Sequence, residues 1–410
     1  MKASVVVSSP GRADFLNTHQ DYKGLPVVPV AIDLRMYLSA KPTGGGVFRI
    51  KSLDLEKHGE PATDSFETGE NEMLGGKFFG DYFRGVVNVL VKRGLTSKLR
   101  GMDITIESEI PVGSGLSSSA ALEVGFAELL NHVCNLGLAR RDLAEVSFAA
   151  ENQEVGVPCG RLDQYGVAFG GIVKLECRPP YRVEPLLFRD LTFAIIDSGI
   201  RHSTAEIHPR RQSDINRGLK ALMESLEVPS ELKAKLGHRF DEPRWEELPE
   251  KETEGLLSTL DDKARRRILF TLKMQRSTDF ALKILRFEQV SKEEVVMNLG
   301  RARWDIIQRT PSEKRSYLIL GEIMNDQHSM LRDLYDLSLP KLEEICSTAL
   351  EAGAYGAKIS GAGMGGSIIA LVENEEKGGE VVDACRPVGA KNGWVSKIGE
   401  GVKVESPLPQ

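Results

Sequence analysis

Apolar and polar positions alternate over short stretches through the first 200 residues, then give way to longer, helix-like spacing. The runs Ala3–Ser8, Val27–Ile32, Met102–Ile110, Ile172–Cys177 and Leu191–Asp197 have the character of strands. Gly44-Gly45-Gly46 punctuates a hairpin whose return strand is Val47–Ile50. Phe79–Arg93 has helical periodicity, with Tyr82, Val86, Val89 and Leu90 on one face. Ala120–Cys134 and Leu138–Gln153 read as two more helices. Beyond residue 205 the pattern changes. Residues 210–350 are rich in Lys, Arg, Glu and Leu and read as several helices. Within them, 225–265 is the most charged and least patterned part and reads as solvated helices or an insertion. Strand character returns at Ala357–Ser360 and Ser367–Val372, and Val395–Ile398 reads as a last strand. No internal repeat is visible. The pattern predicts an α+β protein, with a mixed N-terminal domain over 1–200 and a C-terminal domain over 201–410 made of helices with a small sheet.

Composition narrows the class. At 410 residues the chain has the length of two domains or one large one. A hydrophobic content of 41% and a charged content of 27% are those of an ordinary globular enzyme. The net charge of −6 argues against general nucleic-acid binding. Arg210-Arg211 and Arg265-Arg266-Arg267 read as solvated helix faces. No apolar run approaches bilayer length, and the N-terminus is too poor in apolar residues for a signal peptide. The five cysteines are scattered, with no C-x-x-C pair, which points to reduced thiols in the cytoplasm and to neither a zinc site nor a disulfide framework. A monomer or homodimer acting on small molecules is expected, with neither membrane nor nucleic-acid partners.

Three loops carry the candidate chemistry. The first, Pro111-Val-Gly-Ser-Gly-Leu-Ser-Ser-Ser-Ala-Ala-Leu122, joins a strand to a helix. Gly113 and Gly115 let backbone N–H groups turn inward, and the helix dipole adds partial positive charge, so the loop can cradle an anion. Ser117, Ser118 and Ser119 add hydroxyl donors or a metal ligand. A Gly/Ser-rich turn is also an ordinary helix cap, so the pattern alone leaves both readings open. It is not the common nucleotide loop: no Gly-Lys-Ser/Thr ends it, and Lys77, after two glycines, is followed by Phe78. The second loop, Ser360-Gly-Ala-Gly-Met-Gly-Gly366, satisfies G-x-G-x-x-G at Gly361, Gly363 and Gly366 but opens a strand-like run, so the dinucleotide reading fails. With Gly365 as a fourth glycine, it suggests backbone packed closely against a partner, whether substrate, nucleotide or the serine loop. The third loop crowds Arg12, Asp14, His19 and Asp21 into ten residues. That density suits a hydroxyl-rich ligand, and it also suits a solvated loop. Two further carboxylates, Glu151 at a helix end and Asp163 after Pro158-Cys-Gly160, sit beside apolar sequence and must be paired or functional. His202 and His328 read as core or surface histidines.

With these loops in this order, the chain resembles the superfamily of galactokinase, homoserine kinase, mevalonate kinase and phosphomevalonate kinase, most strongly galactokinase. The matching segments are Ser9-Pro-Gly-Arg12 through His19-Gln-Asp-Tyr22, residues 111–122, Pro158–Gln164, Ser198–Ser203, Leu331–Ser338 and residues 360–366. The resemblance implies a two-domain fold with the active site in the cleft between domains, and an ATP- and Mg²⁺-dependent kinase acting on the anomeric hydroxyl of a sugar. It implies that ATP phosphates sit on Gly113, Ser114, Gly115, Leu116, Ser117, Ser118, Ser119 and Ala120. Ser119, with Ser118 as a further candidate, and Glu151 hold Mg²⁺, an oxygen-only set that suits this ion. Asp163 takes the proton of the sugar hydroxyl, and Arg12 lies between it and the γ-phosphate, where it spreads transition-state charge. His19 and Asp21 hold sugar hydroxyls, and Gly160 offers backbone contact to the sugar.

Departures from that pattern bear on the substrate. Galactokinases usually carry a glutamate just before the loop histidine, where it grips the C6 hydroxyl; here the place is taken by Thr18. A tyrosine lining the galactose pocket is replaced, with His208 as the expected occupant. Galactose is therefore one expectation, and a relative altered at C6 or C2, such as galacturonate, arabinose or N-acetylgalactosamine, is another. A kinase of a non-sugar alcohol such as mevalonate, and a sensor that binds ATP and sugar without turnover, are the competing readings. The retained Asp163, Arg12, Glu151 and serine run argue against the sensor.

Overall fold

The structure, a computed structural model, describes residues 5–76, 78–111, 113–188, 190–201, 204–248 and 250–405, with the backbone alone for 204–207. Lys77, Val112, His202 and Ser203 lie outside the described residues.

The strands are β1 (Val5–Leu16), β2 (Val28–Pro42), β3 (Val47–Ser52), β4 (Thr63–Glu67), β5 (Met102–Ser108), β6 (Ile172–Leu175), β7 (Val183–Leu186), β8 (Thr192–Asp197), β9 (Gly356–Ser360), β10 (Ser367–Val372), β11 (Asn392–Lys397) and β12 (Lys403–Glu405). They belong to two compact units interleaved in sequence: Met1–Ala13 with Pro29–Val173 and Ile398–Gln410, and Asp14–Val28 with Lys174–Lys397. The change in composition near residue 205 therefore marks the start of the helical part, not the edge of a unit. The reason is local to Asp14–Val28. Asn17 Nδ2 donates to Gln275 Oε1, and Lys23 Nζ donates to Thr271 Oγ1, which ties this early segment to the helix Asp262–Leu285.

In the first unit the strands run in the order β12-β1-β2-β5-β3-β4. β5 lies between β2 and β3, antiparallel to the first and parallel to the second. The glycine run at 44–46 is thus not the turn of a hairpin. It carries the chain across the end of β5, where Gly101 N donates to Gly45 O at 2.8 Å. The close approach needs glycine, because a Cβ on Gly101 would meet Val47 O at 2.2 Å. The helix expected over 79–93 spans Gly80–Lys92, with Val86, Val89 and Leu90 of the expected face buried and Phe83 and Val87 buried beside them. The α-helix expected over 138–153 spans Arg140–Ala149 and continues as a π-helical turn, Ala150–Val155.

In the second unit a four-stranded antiparallel sheet runs β11-β8-β10-β9, with every residue of β8, β9 and β10 buried. Residues 225–265 are largely exposed, as expected, and also reach inward. They contribute Trp245, Leu248 and Leu257 to a core shared with Ile215, Leu219 and Ile268. The arginine runs are solvated only in part: Arg210 and Arg265 are exposed. Arg267 is 1% exposed and donates to Leu334 O, while Arg211 donates to Tyr335 O and Asp336 O. His328 is a core histidine paired with Glu343 at 2.9 Å. Among the described residues, no helix is long and apolar enough to cross a membrane.

Candidate active site

The serine loop is shaped by its backbone. Gly113, Gly115 and Ser117 have φ of +69°, +79° and +58°, so left-handed residues recur at every second position. Such alternation turns successive N–H groups to one side, as an anion requires. The helix Ser118–Cys134 then starts with no side-chain cap from Ser117, whose buried hydroxyl oxygen has no hydrogen-bond partner. The loop is fastened to β1 by Arg12 N, which donates to Leu116 O at 3.1 Å.

Arg12, on β1, ties this loop to the candidate base. Its Nη1 donates to Gly115 O at 2.8 Å, while Nε and Nη2 donate to Asp163 Oδ1 at 2.9 and 2.6 Å. One guanidinium therefore spans the loop and the carboxylate, which lie 103 and 151 positions from Arg12 in sequence. Both bonds to Asp163 fall on Oδ1, which leaves Oδ2 as the oxygen able to take a proton. Asp163 itself sits in the first turn of the helix Leu162–Phe169, where a carboxylate complements the dipole. Gly160 lies in the loop just ahead of that helix.

Ser119 Oγ donates to Glu151 Oε1 at 3.0 Å, and Gln164 Nε2 donates to Glu151 Oε2 at 2.6 Å. Glu151 stands in the π-helical turn, a local widening that recurs at functional sites. Burial, then the nearby Asp163 charge, push its carboxyl up to about 7, against the opposing bonds from Ser119 and Gln164. Among the described residues no cluster of three or more His, Cys, Asp or Glu could hold a metal ion alone. A hydroxyl and one carboxylate fit Mg²⁺, which takes few protein ligands and completes its shell with phosphate and water.

In the second unit, His19 meets the glycine loop 361–366, with His208 packed against His19 and Thr18 bonded to Lys358 on the strand that leads into the loop. His19 is 5% exposed, and its Nε2 donates to Ala362 O at 3.0 Å. That leaves Nδ1 as acceptor, with the Tyr22 hydroxyl 3.5 Å away. Tyr22 and Tyr335 share a hydrogen bond of 2.9 Å. His208 stacks edge-on to His19 with centroids 5.1 Å apart. Burial, then the charges of His208, Lys23 and Arg211, hold the His19 imidazole well below its usual range. Lys23 is inaccessible and lies over the rings of Phe270 and Tyr335 at 4.8 and 4.7 Å. The glycine loop has φ of +87°, +82°, +148° and +74° at Gly361, Gly363, Gly365 and Gly366. Its close partner within this unit is Leu337: a Cβ on Gly363 would meet Leu337 Cβ at 2.7 Å.

Several residues here escaped the sequence reading. Glu123 has its only signal in standing inside the apolar run Ala120–Ala127. Gln164 was visible in a matching segment, but nothing local gave it a role. Lys358, inaccessible on β9, donates to Asp14 O, Thr18 Oγ1 and Ile359 O. Tyr22, Lys23 and Tyr335 had no local signal of mutual contact.

A guanidinium, a carboxylate and an amide-lined loop held within hydrogen-bond reach define a phosphoryl-transfer enzyme for small molecules. Comparison with known proteins gives the family. The chain matches the GHMP kinases N terminal domain over residues 81–171, the GHMP kinases C terminal domain over 309–391 and the galactokinase galactose-binding signature over 1–42. It is 31% identical to the galactokinase of Thermococcus kodakarensis, with 92% of this chain and 93% of that one aligned. With the galactokinase of Pyrococcus furiosus it shares 30% identity over 96% of each chain. The structure of Lactococcus lactis galactokinase complexed with galactose superposes with a TM-score of 0.75 at 25% identity, covering 98% of this chain and 95% of that one. Methanococcus jannaschii mevalonate kinase has the same fold, with a TM-score of 0.63 at 19% identity, covering 97% of this chain and 99% of that one. The chain belongs to the GHMP kinases, in the galactokinase branch, and is a galactokinase-like sugar kinase with ATP as co-substrate.

Proposed function

We propose that the enzyme moves the γ-phosphoryl group of ATP onto the anomeric C1 hydroxyl of a galactose-type monosaccharide, with Asp163 as base. The observation that carries this reading is the single Arg12 guanidinium bonded both to Asp163 Oδ1 and to Gly115 O of the serine loop. Asp163 Oδ2 accepts the sugar proton, and the Arg12 charge spreads over the transferring group. Backbone N–H groups of 113–119 hold the phosphates. Ser119 and Glu151 would hold Mg²⁺, which would supply neutralisation of phosphate charge. No covalent enzyme intermediate is needed, because positioning and charge stabilisation supply most of the acceleration. Asp21 and Gly160 are assigned to the sugar. For His19 the geometry favours positioning: Nε2 is bonded to Ala362 O, and Nδ1 faces the Tyr22 hydroxyl. The five cysteines form no disulfide, which supports the assignment to the cytoplasm.

The sugar itself is read from position 18. A glutamate there would offer only acceptors. Thr18 Oγ1 instead accepts from the Lys358 ammonium at 3.0 Å and adds an O–H donor that a carboxylate lacks. A donor beside a buried cation favours a substituent that accepts, as the carboxylate of galacturonate does, over the C6 hydroxyl of galactose. A panel of galactose, galacturonate, arabinose and N-acetylgalactosamine, assayed for ADP release with the product position read by phosphorus NMR, tests this. Galactose preferred by more than about 100-fold would exclude the reading, since a single lost contact gives less. Asp163→Ala should abolish ADP release while nucleotide binding persists; continued turnover would remove Asp163 from the role of base.

A further inference from the structure

Glu123 is the unused carboxyl of the first unit. It is inaccessible and lies on the buried side of the helix Ser118–Cys134. Its Oε2 accepts from Gln164 Nε2 at 3.4 Å, and the same nitrogen donates to Glu151 Oε2 at 2.6 Å. Glu123 Oε1 and Gln164 Oε1 are both buried, and neither has a hydrogen-bond partner. Turning the Gln164 amide over would not help, because its oxygen would then face two carboxyl groups. Two acceptor oxygens cannot bond each other without a proton between them. One proton on Glu123 Oε1 resolves both deficits. The acid O–H then donates to Gln164 Oε1 while Gln164 Nε2 donates to Glu123 Oε2, closing a ring of two hydrogen bonds between a carboxylic acid and a primary amide. The second hydrogen on Nε2 stays on Glu151.

We infer that Glu123 is a neutral carboxylic acid in the folded enzyme and acts, through this acid–amide ring with Gln164, as a positioning residue for Glu151. The surroundings agree: burial first, then the Glu151 charge, hold the Glu123 carboxyl well above the usual range. The positioning half rests on the reading of Glu151 as a cation ligand; the protonation half does not.

Two measurements test the two halves. Infrared difference spectra of the metal-free protein, taken at a pH well above the Glu151 value of about 7 so that Glu151 is ionised, should show a carboxylic-acid C=O band that vanishes in Glu123→Gln and persists in Glu151→Gln. Absence of that band overturns the inference. Mn²⁺ binding, followed by electron paramagnetic resonance with a non-hydrolysable ATP analogue, reads the positioning without turnover. Glu123→Gln should bind Mn²⁺ as the native enzyme does, because its amide N–H can still donate to Gln164 Oε1. Glu123→Leu and Gln164→Leu should weaken Mn²⁺ binding by about tenfold or more. Glu123→Gln losing Mn²⁺ as severely as Glu151→Gln would make Glu123 an ionised ligand and overturn the inference. Native Mn²⁺ binding in both leucine variants would overturn the positioning. If Glu151→Gln alone keeps native Mn²⁺ binding, the ligand reading fails, and the infrared band still decides the state of Glu123.

Discussion

The regions around Arg12 and around His19 are built on opposite principles. The first is made of charges with capacity to spare. Asp163 receives both of its Arg12 bonds on one oxygen, and the Ser117 hydroxyl is buried without a partner. The second is an aromatic and imidazole cluster that satisfies itself: His19 Nε2 is bonded to Ala362, Tyr22 to Tyr335, and the Lys23 ammonium to Gln20 and Thr271 beneath two rings. A region with spare donors and acceptors is one that a charged ligand completes. A region already satisfied is fixed in shape before any ligand arrives, and so suits discrimination by fit.

The sharpest way to break that contrast is Arg12→Lys. A lysine cannot reproduce the two bonds to Asp163 together with the one to Gly115, so kcat should fall by about 100-fold while nucleotide affinity changes little. Stopped-flow ADP release and a binding titration separate the two. A variant with native kcat would show that charge alone, without the fork, supports the site. Next in size is Gly363→Ala. Its φ of +82° and the Leu337 Cβ at 2.7 Å leave no room for a methyl group, so the melting temperature should drop by the equivalent of about 1–3 kcal/mol. Calorimetry checks it, and an unchanged transition would mean the loop is not held against Leu337.

The smallest expected effect is one of pH. His19 is held neutral in the fold, so the unfolded chain binds a proton that the folded one refuses. Its contribution to stability is fully present above about pH 6.5 and falls by up to about 1.4 kcal/mol per unit as pH drops toward the lowered folded value. Urea titrations between pH 7.5 and 5.5 should show this slope in the native enzyme and a shallower one in His19→Gln. Equal slopes would mean that the imidazole is as accessible to protons folded as unfolded.

Much of the first region was legible because its chemistry is local. Gly113 and Gly115 admit left-handed backbone without steric cost, and the structure has it at both, whereas the same conformation at Ser117 was not legible because serine does not favour it. The π-helical turn at Glu151 was not legible, since an α-helical spacing runs straight through it. The core residues of 225–265 were hidden for a related reason: they are spaced irregularly, on short helical turns joined by loops, so no single period reveals them. The same limit explains the paired arginines: the partners of Arg266 and Arg267 at 334–336 lie 67–70 residues away, and those of Arg211 lie 124 and 125 away.

By itself the sequence determined most of the strand runs, though not Thr63–Glu67, Val183–Leu186 or Lys403–Glu405, and the presence of an arginine, a carboxylate and a hydroxyl-rich loop suited to phosphoryl transfer. Tertiary structure alone decided that β5 separates β2 from β3, that Thr18 meets Lys358 across 340 residues, and that Glu123 shares Gln164 with Glu151. The physical reason is range. Backbone preference and helical or strand periodicity act over a few residues. The pairing of a buried donor with a buried acceptor is fixed by which elements pack together, and the fold as a whole sets that.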